Sequence, residues 1–343
     1  MNLLLLISLF IFIAFLTSLY RFGFGPYLLS LGTLFLMAFP ITIRFKPSEL
    51  ENIDKYIYYG LYVMLPFFFY DIGVTFLNLP PLEQILGLFS SSKSTEVLGF
   101  YRVKSSFDEP SYLGIYLVVI LYFFLNTKSY YRKKAFLIIF ICIVFTLSLT
   151  AYILAFIVIS LNNIRSIKRL ILTYSAVAIL LFSVPIVGDF LINRITTTVK
   201  SIANSNYSGS EGSRGNSILV LLKYLDEANS VQFFFGEGYG RYDTWLIKNF
   251  GMYNPAMVSF ARGHINNAVA VIGISNGLIG LFFYLMIFVY LATSKLLTKK
   301  SLIIHFFVQF SYAFIVGYMF WGIILIFMLE SRFNDKFLIP KTP

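Results

Sequence analysis

The residues of this chain best suited to chemistry are cationic: Arg102, Lys104, Arg194, Arg214, Arg241 and Arg262. A guanidinium presents a planar fork of donors that matches phosphate or carboxylate oxygens in pairs. Such a set prepares a surface for an anion. His264 follows Ala261-Arg-Gly and precedes an apolar run that opens at Ile265. An imidazole at the edge of a helix titrates near neutrality and can take a proton from an attacking hydroxyl, although an interfacial histidine with no chemical duty is as common. Asp71 stands inside an apolar run after Phe67-Phe-Phe-Tyr70, where a carboxylate is costly unless it serves a site or faces a watery cavity. His305, close to a basic cluster, carries no such expectation.

The elements that must position these groups follow from composition. The chain is 58% hydrophobic and 13% charged, against roughly 45–50% apolar and 25% charged in soluble domains. Runs such as Asn2 to Tyr20, Phe24 to Ile43 and Ile265 to Thr293 approach or exceed the ~20 residues that cross a hydrocarbon core. Backbone groups there have no water to bind, so the segments should be helical. The expectation is an all-α polytopic membrane protein forming a single integral membrane domain over residues 1–343. The first run has no basic leader or small-residue cleavage site and reads as a retained helix. Cys142, the single cysteine, has no partner for an internal disulfide.

Lysine and arginine between apolar runs set the orientation, because short cytoplasmic loops hold the excess. The clusters are Arg44, Lys46 and Lys55; Lys128 with Arg132, Lys133 and Lys134; Arg165, Lys168 and Arg169; Lys295, Lys299 and Lys300; and Arg332, Lys336 and Lys341. Placing them all inside puts both termini in the cytoplasm. Two segments, 78–110 and the large loop 188–263, then lie on the outer side. The basic clusters at both ends of Ala135 to Leu161 divide that run near Ser148 to Ala151, and Ser301 to Leu329 divides near Gly317. About ten transmembrane helices result, over 2–20, 24–43, 56–77, 111–126, 135–148, 150–162, 168–188, 264–294, 301–315 and 317–330, with eight as the competing number. The large loop should hold short helices.

The net charge of +11 sits mostly in the inside clusters, so topology accounts for it and nucleic acid is not an expected partner. Topology does not account for arginine on the outer side. Arg102 and Lys104 precede Phe107-Asp-Glu-Pro-Ser-Tyr-Leu-Gly114, in which Asp108, Glu109 and Pro110 are ordinary helix-start residues. In Tyr207-Ser-Gly-Ser-Glu-Gly-Ser-Arg-Gly-Asn216, Arg214 should stand just before a helix over Ser217 to Leu225, whose N-terminal amides also favour anions. A flexible loop before an interfacial helix explains the same residues. Phe235-Gly-Glu-Gly-Tyr-Gly240 is no dinucleotide loop, because its spacing is wrong and no parallel sheet accompanies it. No metal-ligand spacing, Gly-Lys-Ser/Thr phosphate loop or Gly-x-Ser-x-Gly elbow occurs in the sequence.

Three passages in order give the chain a resemblance: Arg102 with Phe107 to Gly114; Gly212-Ser-Arg214, a helix and Phe235 to Gly240; and His264 to Asn267 leading into Asn276-Gly-Leu-Ile-Gly280. Phe145-Thr-Leu-Ser-Leu-Thr150 lies between the first two and looks like a threonine-serine turn. In this order, around one large outer loop, they resemble the bacterial O-antigen polymerases (Wzy type), related to the O-antigen ligases. The resemblance implies a glycosyltransferase of the inner membrane. Its donor and acceptor would be oligosaccharides on undecaprenyl diphosphate, with a chain-length regulator and a flippase as partners. Arg102, Lys104, Arg214, Arg241, Arg262 and Asn267 would bind substrate or diphosphate. His264 is the first choice of base, with Glu211 or Glu109 second. No cofactor or metal is expected. A ligase with a lipid A-core acceptor, or a flippase, stays open.

Overall fold

In a computed structural model, the structure describes residues 52–81, 96–97, 100–103, 105, 110–163, isolated positions between 168 and 200, 209–238, 245, 267–294, 297–311 and 318–338. The described chain is mostly helical, with helices α1 (Ile53–Phe76), α2 (Pro110–Asn126), α3 (Arg132–Phe145), α4 (Leu149–Asn163), α5 (Gly209–Glu227), α6 (Ser230–Phe235), α7 (Ala268–Thr293), α8 (Lys299–Ser311) and α9 (Tyr318–Leu338). One small antiparallel ladder, β1 (Glu96–Val97) with β2 (Phe100–Tyr101), pairs Glu96 with Tyr101 and Val97 with Phe100. Among the described residues, α1 and α7 are long and apolar enough to cross a membrane, and α2 and α4 are shorter apolar helices. The expected segments 2–20 and 24–43 lie outside the described residues, and few positions of 168–188 are described.

The chain divides into two compact units, Phe45–Ile195 with Ile326–Pro343, and Met1–Arg44 with Thr196–Leu325. In the first, α2 is the central helix. It is apolar almost throughout, Pro110 occupies its first position, and residues from Leu113 to Phe124 are largely buried against α3 and α4. A Cβ on Gly114 would overlap that of Ala151, so the small pair brings α2 and α4 together. Tyr122 meets Phe327 edge-to-face at 5.2 Å.

The division of the long apolar run expected from its flanking charges is present as a helix break. Helix α3 ends at Phe145, Leu147 takes a positive φ of 44°, and Ser148 Oγ accepts the Ala151 N–H at 3.3 Å to start α4. Helix α1 carries Pro66, which removes one internal hydrogen bond. Ser105 Oγ donates to the Met64 carbonyl, 3.0 Å away in that same stretch.

In the other unit, α5 buries Ser217, Val220, Leu221 and Tyr224, spaced i, i+3, i+4 and i+7. Leu221 lies over Gly273 of α7, and Trp245 meets Tyr224 edge-to-face at 5.0 Å. Helix α8 packs on α7, with His305 stacked on Phe288 at 5.3 Å. Helix α5 also corrects an expectation. It begins at Gly209, so Arg214 stands in its second turn instead of just before a helix at Ser217. Gly212 and Gly215 disfavour a helix by roughly 1 kcal/mol each. Packing of the apolar stripe downstream and an acid, Glu211, near the positive helix end outweigh that penalty.

Candidate functional site

Arg102 lies in a corner built by three segments of the first unit. The residue is 8% exposed, and its Nε donates to the Thr146 carbonyl at 3.4 Å. The next N–H, of Val103, donates to the Phe145 carbonyl at 3.3 Å. Both acceptors belong to the end of α3, where unpaired carbonyls and the negative helix pole favour a cation. Thr146 Oγ1 donates to the Ile143 carbonyl at 2.7 Å, and Tyr152 Oη donates to the Val144 carbonyl at 2.6 Å. The turn is therefore held from both sides. With Nε so anchored, the rest of the guanidinium fork belongs to the two terminal nitrogens.

Asp71 reaches the same connecting segment. It is 3% exposed, and its Oδ2 accepts the Ser105 N–H at 2.7 Å. A carboxylate in an apolar helix thus ties α1 to the segment at Ser105.

A second arrangement belongs to the other unit. Helix α7 is broken at Gly277, where φ is 61° and ψ −163°. In a continuous helix the carbonyls of Ile274 and Ser275 would receive the N–H groups of Leu278 and Ile279. Here they receive those of Glu237 and Gly238, each at 2.8 Å. Gly236 has φ 74°, and a Cβ there would strike the Ser275–Asn276 backbone; a Cβ on Gly277 would strike the Phe234–Phe235 backbone. Gly236 and Gly238 thus bring this segment onto α7. Glu237 is mostly buried and its Oε1 accepts from Gln232 Nε2 at 2.9 Å. Gln232 itself completes a capping box with Asn229 at the start of α6. Among the described residues, Asn276, 1% exposed, has an Nδ2 with no hydrogen-bond partner, as does Ser275 Oγ.

Of the residues singled out in sequence, Lys104, Glu109, Arg241, Arg262 and His264, with Arg194, lie outside the described residues. Glu211 and Arg214 are placed by backbone, both within α5. Asn267 is fully buried and caps α7, its Oδ1 accepting the Ala270 N–H at 3.1 Å. Sequence reasoning passed over Glu237 and Asn276. The signal available was a polar residue beside glycine within an apolar surrounding, Gly-Glu-Gly and Asn-Gly. Compared with protein-family models and with curated proteins, the chain matches none.

Proposed function

We propose that this chain is a polytopic membrane glycosyltransferase of the O-antigen polymerase type. It moves a growing glycan from undecaprenyl diphosphate onto a fresh lipid-linked repeat unit at the periplasmic face of the bacterial inner membrane. The observation that carries this reading is the anchoring of Arg102 and Val103 on the end of α3, at the turn before Ser148. It joins the first of the ordered passages on which the resemblance rests to the threonine-serine turn at Phe145 to Thr150. Ten spans with cytoplasmic termini complete the proposal. In its support, Arg132, Lys133 and Lys134 open α3 against the helix dipole, so positive-inside placement explains them better than helix formation does. Leu219, Leu222, Phe234 and Phe235 are exposed on α5 and α6, as suits helices lying at a bilayer surface.

In the reaction, an acceptor hydroxyl oxygen attacks the anomeric carbon of the donor. The carbon–oxygen bond to diphosphate breaks and undecaprenyl diphosphate leaves with the electron pair. The hydroxyl proton passes to a base, His264 first and Glu211 or Glu109 second. Fixed cations stabilise the charge gathering on the leaving group, for which Arg102, Lys104, Arg214, Arg241 and Arg262 are the candidates. Such cations serve without a metal. A chain-length regulator and a flippase are the proposed partners.

The test is the surface lipopolysaccharide ladder of the native bacterium after deletion of the gene, then restored as wild type or as Arg102→Ala. Core bearing a single repeat unit after deletion supports a polymerase. Core bearing none, with polymer held on the lipid carrier, makes the protein a ligase. An unchanged ladder overturns both.

A second reading, transport of the lipid-linked oligosaccharide, is favoured by the broken helix α7, because discontinuous helices form substrate sites in transporters. Purified protein that lengthens glycan in detergent, where there are no two sides to cross, would dismiss transport.

A further inference from the structure

The break in α7 leaves more polar groups than the Gly-Glu-Gly segment satisfies. Glu237 and Gly238 engage the two carbonyls on its N-terminal side. On the C-terminal side a new helix starts at Leu278 and continues to Thr293, and the first-turn N–H groups of a helix have no acceptors within it. Those donors sit at a positive pole. The Asn276 side chain lies along this first turn: a Cβ on Gly280 would run into Asn276 Cβ and Cγ, so Gly280 makes the space that the amide occupies. Among the described residues Asn276 Nδ2 is buried there with no partner, and Ser275 Oγ is likewise buried and unpartnered. An amide nitrogen is solely a donor. An unsatisfied buried donor of this kind is destabilising, and its presence beside a helix start calls for an acceptor.

We propose that the break in α7 binds a diphosphate-class oxyanion through Asn276 Nδ2 and the N–H groups that open the half-helix at Leu278. Every group offered is a hydrogen-bond donor or a positive dipole end, which selects oxygen anions over cations and sugars. Glu237 is anchored through its peptide N–H on Ile274, with Oε1 bonded to Gln232 Nε2. The class of anion is read from the donors, and the identification of its lipid form rests on the function proposed above.

The experiment uses the full-length protein in nanodiscs of phosphatidylethanolamine and phosphatidylglycerol. Radiolabelled inorganic diphosphate is titrated by equilibrium dialysis, and in parallel undecaprenyl diphosphate is added to the discs and its retention read by native mass spectrometry. Asn276→Asp keeps the shape while replacing the donor with a negative acceptor, and at least about 10-fold weaker binding is expected. Asn276→Ala removes an unpartnered buried amide, so it should assemble as well as wild type while showing the same direction of loss. Gln309→Ala, which removes a buried amide of α8 also lacking partners among the described residues, should bind as wild type does.

Loss with both probes supports a site for the anion itself, and loss with the lipid alone supports a lipid headgroup site. Wild type that binds neither probe, or Asn276 variants that bind both as wild type does, overturns the proposal. Binding lost in Asn276→Asp beside an unchanged ladder after gene deletion would keep this site and discard the polymerase reading. Normal binding in the variants with a lost ladder would do the reverse.

Discussion

Gly236 packs against the Ser275–Asn276 backbone and Gly277 against the Phe234–Phe235 backbone at the break in α7, each at a positive φ and each in a place where a Cβ would overlap the other segment. Either glycine replaced by alanine therefore meets two penalties at once. We expect Gly236→Ala and Gly277→Ala each to destabilise by about 2–4 kcal/mol through strain and overpacking. The double variant should fall short of the sum, because both changes open the same contact. Thermal melts in detergent measure this, and midpoints equal to wild type would remove the contact from the native state.

Arg102 separates an anchoring role from a chemical one through its two kinds of nitrogen. Arg102→Lys keeps a charge near the end of α3 but loses the fork and the Nε bond to Thr146. Both Arg102→Lys and Arg102→Ala should abolish long polymer while leaving inserted protein at wild-type abundance, as judged by ladder and immunoblot. A full ladder from Arg102→Lys would reduce the residue to a positive charge on a helix end.

For Asp71 the expectation is a tether. Asp71→Asn retains an oxygen for the Ser105 N–H, so the change should cost about 1 kcal/mol, and Asp71→Ala about 2–3 kcal/mol by leaving that N–H buried and unpaired. Denaturation and ladder are read together. An Asp71→Asn protein as stable as wild type yet inactive would turn the carboxylate from a tether into a participant.

The base is tested outside the described residues. His264→Ala should slow polymerisation by about 10²-fold or more if the imidazole takes the acceptor proton. A loss under about threefold would pass the role to Glu211 or Glu109, to be examined as their glutamine variants by the same rate assay.

Orientation can be read with a membrane-impermeant maleimide in a Cys142→Ala background. Tyr130 is highly exposed between α2 and α3, so Tyr130→Cys should resist labelling from the periplasmic side, whereas Ser208→Cys in the large loop should label. The opposite pattern would invert the proposed topology.

What could be read ahead from the residues divides along a physical line. Charge at both ends of an apolar run led to an expected division near Ser148 to Ala151, and the chain breaks there between Phe145 and Leu149. The anomaly of Asp71 was also visible, since burying a carboxylate needs a reason; its partner, Ser105, was not, because contacts between distant segments have no local signature. The start of α5 was missed because glycine and serine favour loops in isolation and packing overrode that preference. Gly277 sits inside an apolar run, and nothing in composition distinguishes a glycine packed within a helix from one with φ 61°. Arg102 was picked out as unexplained by topology, yet the acceptor at Thr146 depended on the turn's own conformation.

The repair of α7 also has an order in time. Synthesis runs from the N-terminus, so Glu237 and Gly238 leave the ribosome before Ile274, Ser275 and Gly277 do. The two N–H groups that close these carbonyls are already made when the interrupted helix is synthesised, and the chain supplies its splint ahead of the fracture.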